Sequence, residues 1–145
     1  MAIQPCLNPD HPSPAYQCGR LMAVLANVQR EALGSVGAGV IQRYYAAASA
    51  TPGLVFGRLI RNTQYHIDKV RSTKGGLAKF FDDKLAEICC RIGDEIPATL
   101  SLEEQSLFAL GFYQQMARPK SKGAGGDADG VDAAPAENHS EENTQ

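Results

Sequence analysis

Three cations and a tyrosine share one side of a predicted helix near the middle of the chain. With Phe56 marking the buried direction and about 100° of turn per residue, all four side chains lie between about 140° and 220° from it. They are Arg58, Arg61, Tyr65 and Lys69. Like charges three and four residues apart repel one another, so a solvated helix usually has carboxylates among them. This basic stripe therefore predicts a polyanion partner.

Four further cations extend the predicted site. Arg20 and Arg43 lie on the first and second predicted helices, and Arg71 and Lys74 continue the set at and beyond the end of the third. Arginine and lysine bind phosphates without reading sequence, whereas an exposed tyrosine stacks on an unpaired base. Together with the basic stripe, these residues are the predicted nucleic-acid-binding site.

Other interpretations of the stripe stay open at this point. The cations are also compatible with an ordinary solvated face, with surplus charge for solubility, or with a protein-interaction module whose basic face docks on an acidic partner subunit. For Arg20 and Arg43, the sequence does not distinguish phosphate contacts from ion pairs within the chain.

The net charge of the chain conceals an uneven distribution. The 145 residues carry 14 basic and 16 acidic side chains, a formal charge of −2. Residues 123–145 hold six acidic residues and no basic one, so residues 1–122 hold 14 basic and 10 acidic residues, a net +4. Residues 15–75 hold eight basic and two acidic residues, a net +6. The positive charge is thus concentrated in the first three helices.

No catalytic, metal or cofactor constellation is recognisable, which disfavours an enzyme. His66 lies about 80° from the core line of the third helix and is interpreted as a half-buried packing residue. A metal site from Cys6, His11 and Cys18 is weak, because a fourth ligand is missing and the spacing fits no standard zinc finger. The four cysteines are predicted to be free thiols in a reducing cytosol.

The sequence has no features that indicate a membrane or secreted protein. Its apolar runs are far shorter than the roughly 20 residues that a membrane span needs. The first residues lack the basic start and apolar stretch of a secretory signal. The predicted location is therefore cytoplasmic, without a membrane partner.

The apolar periodicity predicts an all-α fold, a compact bundle of about five helices. The helices are expected at about 14–33, 40–48, 52–71, 77–92 and 101–118. Ser13-Pro14 and Thr51-Pro52 are typical helix starts, and Ser101 with Glu104 forms a capping box. No segment shows sustained period-two alternation, so no strand is predicted.

Three regions follow from this pattern. Residues 1–13 are proline-rich and are predicted to form an extended leader. Residues 14–118 form the helical bundle domain. Residues 119–145 are predicted to form a disordered acidic tail, because they contain too few apolar side chains to offset the entropy of ordering.

Four stretches of the chain resemble a known family. They are AYQCGRLMAVL at 15–25, RYYAAASATP at 43–52, VFGRL at 55–59 and LEEQSLFALGFYQQ at 102–115. The chain is similar here to the C-terminal helical region of the large subunit of the type I-C CRISPR Cascade complex. In that family the region is also made separately, from an internal start site, as the small subunit of the complex. A chain that starts at Met1, directly upstream of this region, looks like that product.

The resemblance implies a non-enzymatic role in antiviral defence. The family's small subunits are helical bundles that hold nucleic-acid backbone and support the R-loop, while a separate helicase–nuclease cuts the target. The implied partners are the large subunit, the backbone subunits, further copies of the small subunit, the crRNA, the target DNA and the displaced non-target strand. Arg20, Arg43 and Arg58 lie inside the matching stretches, whereas Arg61 and Lys69 rest on the helical-face argument. The long acidic tail has no counterpart in the family pattern.

Overall fold

Five α-helices follow one another in a computed structural model that describes residues 6–34 and 39–117, residues 40 and 41 through their backbone only. They are α1 (Pro14–Leu33), α2 (Val40–Ala50), α3 (Pro52–Thr73), α4 (Gly75–Ile92) and α5 (Leu102–Ala117). No strand occurs in these described ranges. The all-α prediction is confirmed. The acidic tail, Arg118 at the predicted end of α5 and the first five residues lie outside the described residues.

The helix starts follow local capping rules in two of three predicted cases. The Ser13 hydroxyl accepts hydrogen bonds from the backbone N–H groups of Ala15 and Tyr16 at the start of α1. Ser101 and Glu104 bond reciprocally, at 3.1 and 2.8 Å, as a capping box requires. Thr51 makes no side-chain cap for α3, because its hydroxyl donates back to the carbonyl oxygen of Ala47 in α2.

The central element of the bundle is α1, which packs against all four other helices. Every residue from 15 to 26 is buried, and so is Val28. The stripe prediction for α1 covered only Leu21, Leu25, Val28 and Ala32, one side of the helix. A helix that is apolar on all sides is typically enclosed by its neighbours, and α1 is such a helix.

Two glycines allow α1 and α5 to approach closely. A Cβ atom on Gly19 would overlap the carbonyl oxygen of Phe108, and a Cβ atom on Gly111 would overlap that of Tyr16. Both obstacles are backbone atoms, which cannot rotate away. The close contact between the middle of α1 and the middle of α5 therefore requires glycine, which has no side chain, at both positions.

The periodicity of α5 predicts an inward face through Leu110, but the structure buries a different face. Phe108, Gly111 and Gln115 are buried, whereas Leu110 of the predicted face is 44% exposed. Apolar residues occur on both sides of α5, and Tyr113 also remains largely exposed. Periodicity alone could not decide between the two faces, and the glycine at 111 marks the side that contacts α1.

Short connections hold α3 and its neighbours in place. Lys74 is the only residue between α3 and α4, since α4 begins at Gly75 rather than at the predicted Leu77. At the other end of α3, the backbone N–H of Gly53 donates to Pro97 O at 2.9 Å. Nearby, the N–H of Leu100 donates to Ala50 O, also at 2.9 Å. The orientation of α3 is thus fixed at both ends.

Candidate nucleic-acid interface

The basic stripe lies on the side of α3 that faces away from the core. The buried side of α3 carries residues at helical spacing: Pro52, Phe56, Leu59, Thr63, Ile67 and Val70. Arg58, Arg61, Tyr65 and Lys69 are all exposed, and Tyr65 is 75% exposed. The periodicity therefore predicted the orientation of α3 correctly.

The three cations of the stripe have no carboxylate partner among the residues described. Arg58, Arg61 and Lys69 form neither an ion pair nor a side-chain hydrogen bond within residues 6–34 and 39–117. Asp68, the nearest acid on the same helix, instead pairs with Arg71. Their donors consequently remain available, and they lie close enough together to raise the local positive potential.

Arg71 and Lys74 differ from the stripe because both are engaged within the chain. Arg71 contacts Asp68 at 2.7 Å and also pairs with Asp82 of α4. Lys74 lies 3.2 Å from Oε1 of Glu31. Both cations remain about half exposed, so each can also meet an external anion, but only in competition with these carboxylates.

Arg43 is exposed on α2 and faces α3 across a small cleft. The cleft has a volume of about 120 Å³ and is lined by Arg43 and Tyr44 from one side and by Asn62, Thr63 and His66 from the other. Because Asn62 and His66 follow Arg58 at intervals of four residues, the cleft borders the basic stripe. The structure thus brings Arg43 to the same surface as Arg58.

Arg20 is not on this surface, which corrects its predicted role. Its side chain is fully buried between α1, α4 and α5. Its Nε donates to Gln115 Oε1 at 2.9 Å, and Nη1 donates to Gln17 Oε1 at 2.9 Å and to Pro9 O at 3.3 Å. Nη2 lies 3.6 Å from Oε2 of Glu87. A guanidinium in this position cannot reach a phosphate outside the bundle.

Arg20 also joins the described part of the leader to the bundle. The carbonyl oxygen of Pro9 accepts hydrogen bonds from Arg20 and from the amide of Gln17. The ring of His11 stacks on that of Tyr16, with centroids 4.2 Å apart. Residues 8–11 therefore pack on the start of α1.

His66 lies where the cleft meets the stripe. Partial burial lowers the pKa of its imidazole, and the nearby charge of Lys69 lowers it further. The ring is therefore neutral at pH 7, with one nitrogen as donor and one as acceptor. It is half-buried as predicted, but it borders a cleft as well as the core.

The cysteines are free, as predicted. Burial, together with the neighbouring Cys89, raises the pKa of the Cys18 thiol to about 12, so it is not ionised near neutrality. Within the described ranges, no group of three or more His, Cys, Asp or Glu side chains is arranged to hold a metal ion.

Three cleft residues were not among the predicted site residues: Asn62, Thr63 and His66. The periodicity of α3 places Thr63 in the core and His66 half-buried beside it, but periodicity does not reveal a gap between helices. The signal that was available is the spacing of Arg58, Asn62 and His66, which aligns an amide and an imidazole with a cation.

The fold and this surface define an all-helical protein with one exposed basic face beside a polar cleft. None of the helices in the part that the structure describes is long and apolar enough to cross a membrane. The family model for CRISPR-associated protein (Cas_Csd1), the family of the type I-C large subunit, matches residues 1–119. The chain belongs to this CRISPR-associated family. Comparison with curated proteins gives no match.

Proposed function

We propose that this chain is the small subunit of a type I-C Cascade complex and that it holds nucleic-acid backbone on the basic stripe. The contact is independent of sequence and stabilises the R-loop, with the displaced non-target strand as the leading ligand. In such complexes base pairing reads the sequence, while the protein recognises the backbone. The assigned partners are the large and backbone subunits, further copies of the chain, the crRNA and the target DNA.

The observation that carries this proposal is the exposed, carboxylate-free row of cations on α3. Arg58, Arg61 and Lys69 are held on a rigid helix, and no described side chain neutralises them. Tyr65 lies among them with most of its ring accessible. Cations that follow a backbone and aromatic rings that stack on bases are the two components of single-strand binding. Family membership supports the same role.

Arg71 and Lys74 have a secondary part in this proposal. Exposed ion pairs contribute only about 0–1 kcal/mol each, because water screens them. A phosphate can therefore replace Asp68 or Glu31 at small cost. We assign Arg43 and the basic stripe to the primary contact, and Arg71 and Lys74 to its extension.

The alternative is that the same basic face docks on an acidic partner subunit. Backbone binding and protein docking would both use the cations of the basic stripe, so the shape of this chain does not distinguish the two roles. They differ in when the cations matter. A docking face is needed to assemble the complex, whereas a backbone-binding face is needed only after target DNA is added.

The test is the triple variant Arg58→Ala, Arg61→Ala, Lys69→Ala in the assembled complex with guide RNA. We expect assembly to be unchanged, target-DNA affinity to fall, and the displaced strand to become more reactive toward a single-strand-specific chemical probe. The matched control is Ala86→Glu, Thr99→Glu, Ser106→Glu. It changes the net charge by the same −3 at exposed positions outside α3 and the basic stripe.

The outcomes separate the two roles. Weaker DNA binding by the triple variant but not by the control supports backbone binding. Loss of the chain from the complex before DNA is added supports docking on an acidic subunit. If both variants assemble and bind target DNA like the unmodified complex, neither role belongs to this face.

A further inference from the structure

The walls of the cleft between α2 and α3 carry polar side chains that make no hydrogen bond within the described residues. Thr63 is only 3% exposed, and its hydroxyl makes no hydrogen bond with any described residue. The side chains of Asn62, His66 and Tyr44 likewise have no hydrogen-bond partner in the described ranges. The small part of Thr63 that stays accessible lies at the cleft, so its hydroxyl is available to hydrogen-bond a group that enters there.

The chemistry of the walls distinguishes between possible ligands. Among the described lining residues there is one cation, Arg43, and no carboxylate. The other polar groups are neutral, and each offers an acceptor as well as a donor. A phosphate accepts hydrogen bonds only, so it would use the donors of Asn62 and Thr63 and leave their acceptors without a partner. A nucleobase presents both donors and acceptors along its edge and matches this set.

The size of the cleft also favours a nucleobase. A volume of about 120 Å³ is well below the roughly 300–1,000 Å³ of ordinary ligand pockets. It is too small for a dinucleotide or a flavin, and it suits a single planar ring system. Leu59, which is almost fully buried, supplies an apolar surface in the same cleft.

The position of the cleft connects it to the basic stripe. Arg58, Asn62 and His66 are four residues apart and lie along one side of α3, and Lys69 follows three residues later. A strand whose phosphates lie on the stripe therefore passes the mouth of the cleft. Arg43 on the opposite wall is placed to contact the next phosphate.

We propose that this cleft receives one unpaired nucleobase of the strand bound on α3. Asn62, Thr63 and His66 hydrogen-bond the base edge, while Arg43 holds the neighbouring phosphate. This inference rests on the proposed function and adds to it a base-binding pocket, so that the protein holds one unpaired nucleotide out of the stack. Because the neutral groups of the pocket offer both donors and acceptors, the pocket does not select one particular base.

The test compares two single-stranded ligands of equal charge: a 15-nucleotide oligothymidylate and a 15-unit abasic oligomer that has the sugar–phosphate backbone alone. We expect the full chain to bind the oligothymidylate more tightly. Asn62→Ala should weaken binding of the oligothymidylate about three- to ten-fold, the usual effect of losing one hydrogen bond. It should leave binding of the abasic oligomer unchanged. Gln64→Ala, an exposed amide on α3 outside the cleft, is the control and should affect neither ligand.

A second measurement covers the case in which Asn62 contributes little. The His66 imidazole proton resonances should shift on addition of the oligothymidylate and stay unchanged with the abasic oligomer.

Three results are possible. The base-dependent loss with Asn62→Ala, or the base-dependent His66 shift, supports the pocket. If Asn62→Ala binds both oligomers like the unmodified chain, with no base-dependent His66 shift and with both ligands weakened by the α3 triple variant, the pocket is overturned while the backbone-binding function stands. Failure to bind either oligomer at low salt overturns the proposed function itself, and the pocket with it.

Discussion

The Nε of Arg20 donates a hydrogen bond to Oε1 of Gln115 at 2.9 Å, and this contact joins the centre of α1 to the last turn of α5. The same guanidinium reaches Gln17 and Pro9 and lies beside Glu87 of α4. A charged side chain in the middle of the bundle thus connects two helices, the leader and a carboxylate. Arg20 contributes to the position of α5 rather than to the basic face.

Replacing Arg20 by methionine should therefore destabilise the fold. The substitution keeps much of the side-chain volume but removes the donor to Gln115 Oε1 and Gln17 Oε1, whereas Glu87 keeps its ion pair with Lys84. Leaving a buried acceptor without its hydrogen bond costs about 1–3 kcal/mol. We expect a fall of about 3 kcal/mol in the free energy of unfolding, measured by urea denaturation.

The control for this prediction is Arg30→Met, on the exposed last turn of α1. A surface substitution of this kind should change the free energy of unfolding by no more than about 0.5 kcal/mol. If the two variants were equally stable, the hydrogen bonds of Arg20 would not hold the bundle together.

The ends of the helices were predictable because local signals define them. Ser13-Pro14 and the Ser101–Glu104 capping box involve residues within four positions of one another, and both form as predicted. The start of α4 was misplaced by two residues, since Gly75 and Gly76 were interpreted as a break. Glycine lowers helix propensity by only about 1 kcal/mol, which tertiary packing overrides here.

The enclosure of α1 was not predicted, although the sequence contains its signal. Cys18, Met22 and Val24 lie off the stripe through Leu21 and Leu25, so the helix is apolar on all sides. A stripe-based interpretation assigns one buried face to each helix and leaves Arg20 at its edge. Where α1 lies relative to four other helices depends on contacts distant in sequence, and so does the burial of Arg20.

The basic face was predictable only in part for the same reason. The exposure of Arg58, Arg61 and Lys69 follows from the periodicity of one helix. The pairing of Arg71 with Asp82 and of Lys74 with Glu31 depends on how α3, α4 and α1 pack. The cleft beside Asn62 lies between α2 and α3, and no local pattern encodes how these two helices pack.

Gly19→Ala should destabilise the contact between α1 and α5. The added methyl group would overlap the backbone carbonyl of Phe108, so one helix must move. Overpacking of this kind costs about 1–3 kcal/mol, and a backbone obstacle places the expected loss near 3 kcal/mol. The measurement is thermal or urea unfolding of the full chain.

Gly57→Ala is the matched control, because it adds the same methyl group to an exposed helical glycine with no atom within 4 Å. It should leave stability unchanged or raise it by up to about 1 kcal/mol, since alanine favours helix. Equal destabilisation by both variants would show that the close approach of α1 and α5 does not control the effect.

The carboxylate of Glu87 should make stability depend on pH. Partial burial alone would raise its pKa, but the hydrogen bond and charge of Lys84, with the charges of Arg20 and Arg91, outweigh that effect and hold the pKa below its usual value. A depressed carboxylate pKa stabilises the fold above the unfolded-state pKa of about 4.3. The contribution is lost as the pH falls through the folded-state pKa.

Glu87→Gln should accordingly lower the free energy of unfolding at pH 7 by about 1 kcal/mol, less than the roughly 1.5–3 kcal/mol of a hydrogen bond to a charged group, because water partly screens this pair. The difference from the unmodified chain should shrink below about pH 4, where Glu87 itself becomes protonated. Urea unfolding at pH 7, 5 and 3 gives the comparison. A difference that stayed constant across this range would mean that the charge of Glu87 is not involved.

The salt dependence of single-strand binding should report how many cations meet phosphates. If Arg43, Arg58, Arg61 and Lys69 each neutralise one phosphate, the slope of log affinity against log salt concentration is about −3. Binding should then weaken about 50-fold between about 50 and 200 mM salt. The variant Arg58→Ala, Arg61→Ala, Lys69→Ala should reduce the magnitude of this slope by about 2. The Ala86→Glu, Thr99→Glu, Ser106→Glu variant should weaken binding through net charge but retain the slope, because it removes no phosphate contact. A slope unchanged in the α3 variant would show that these three cations do not contact the strand.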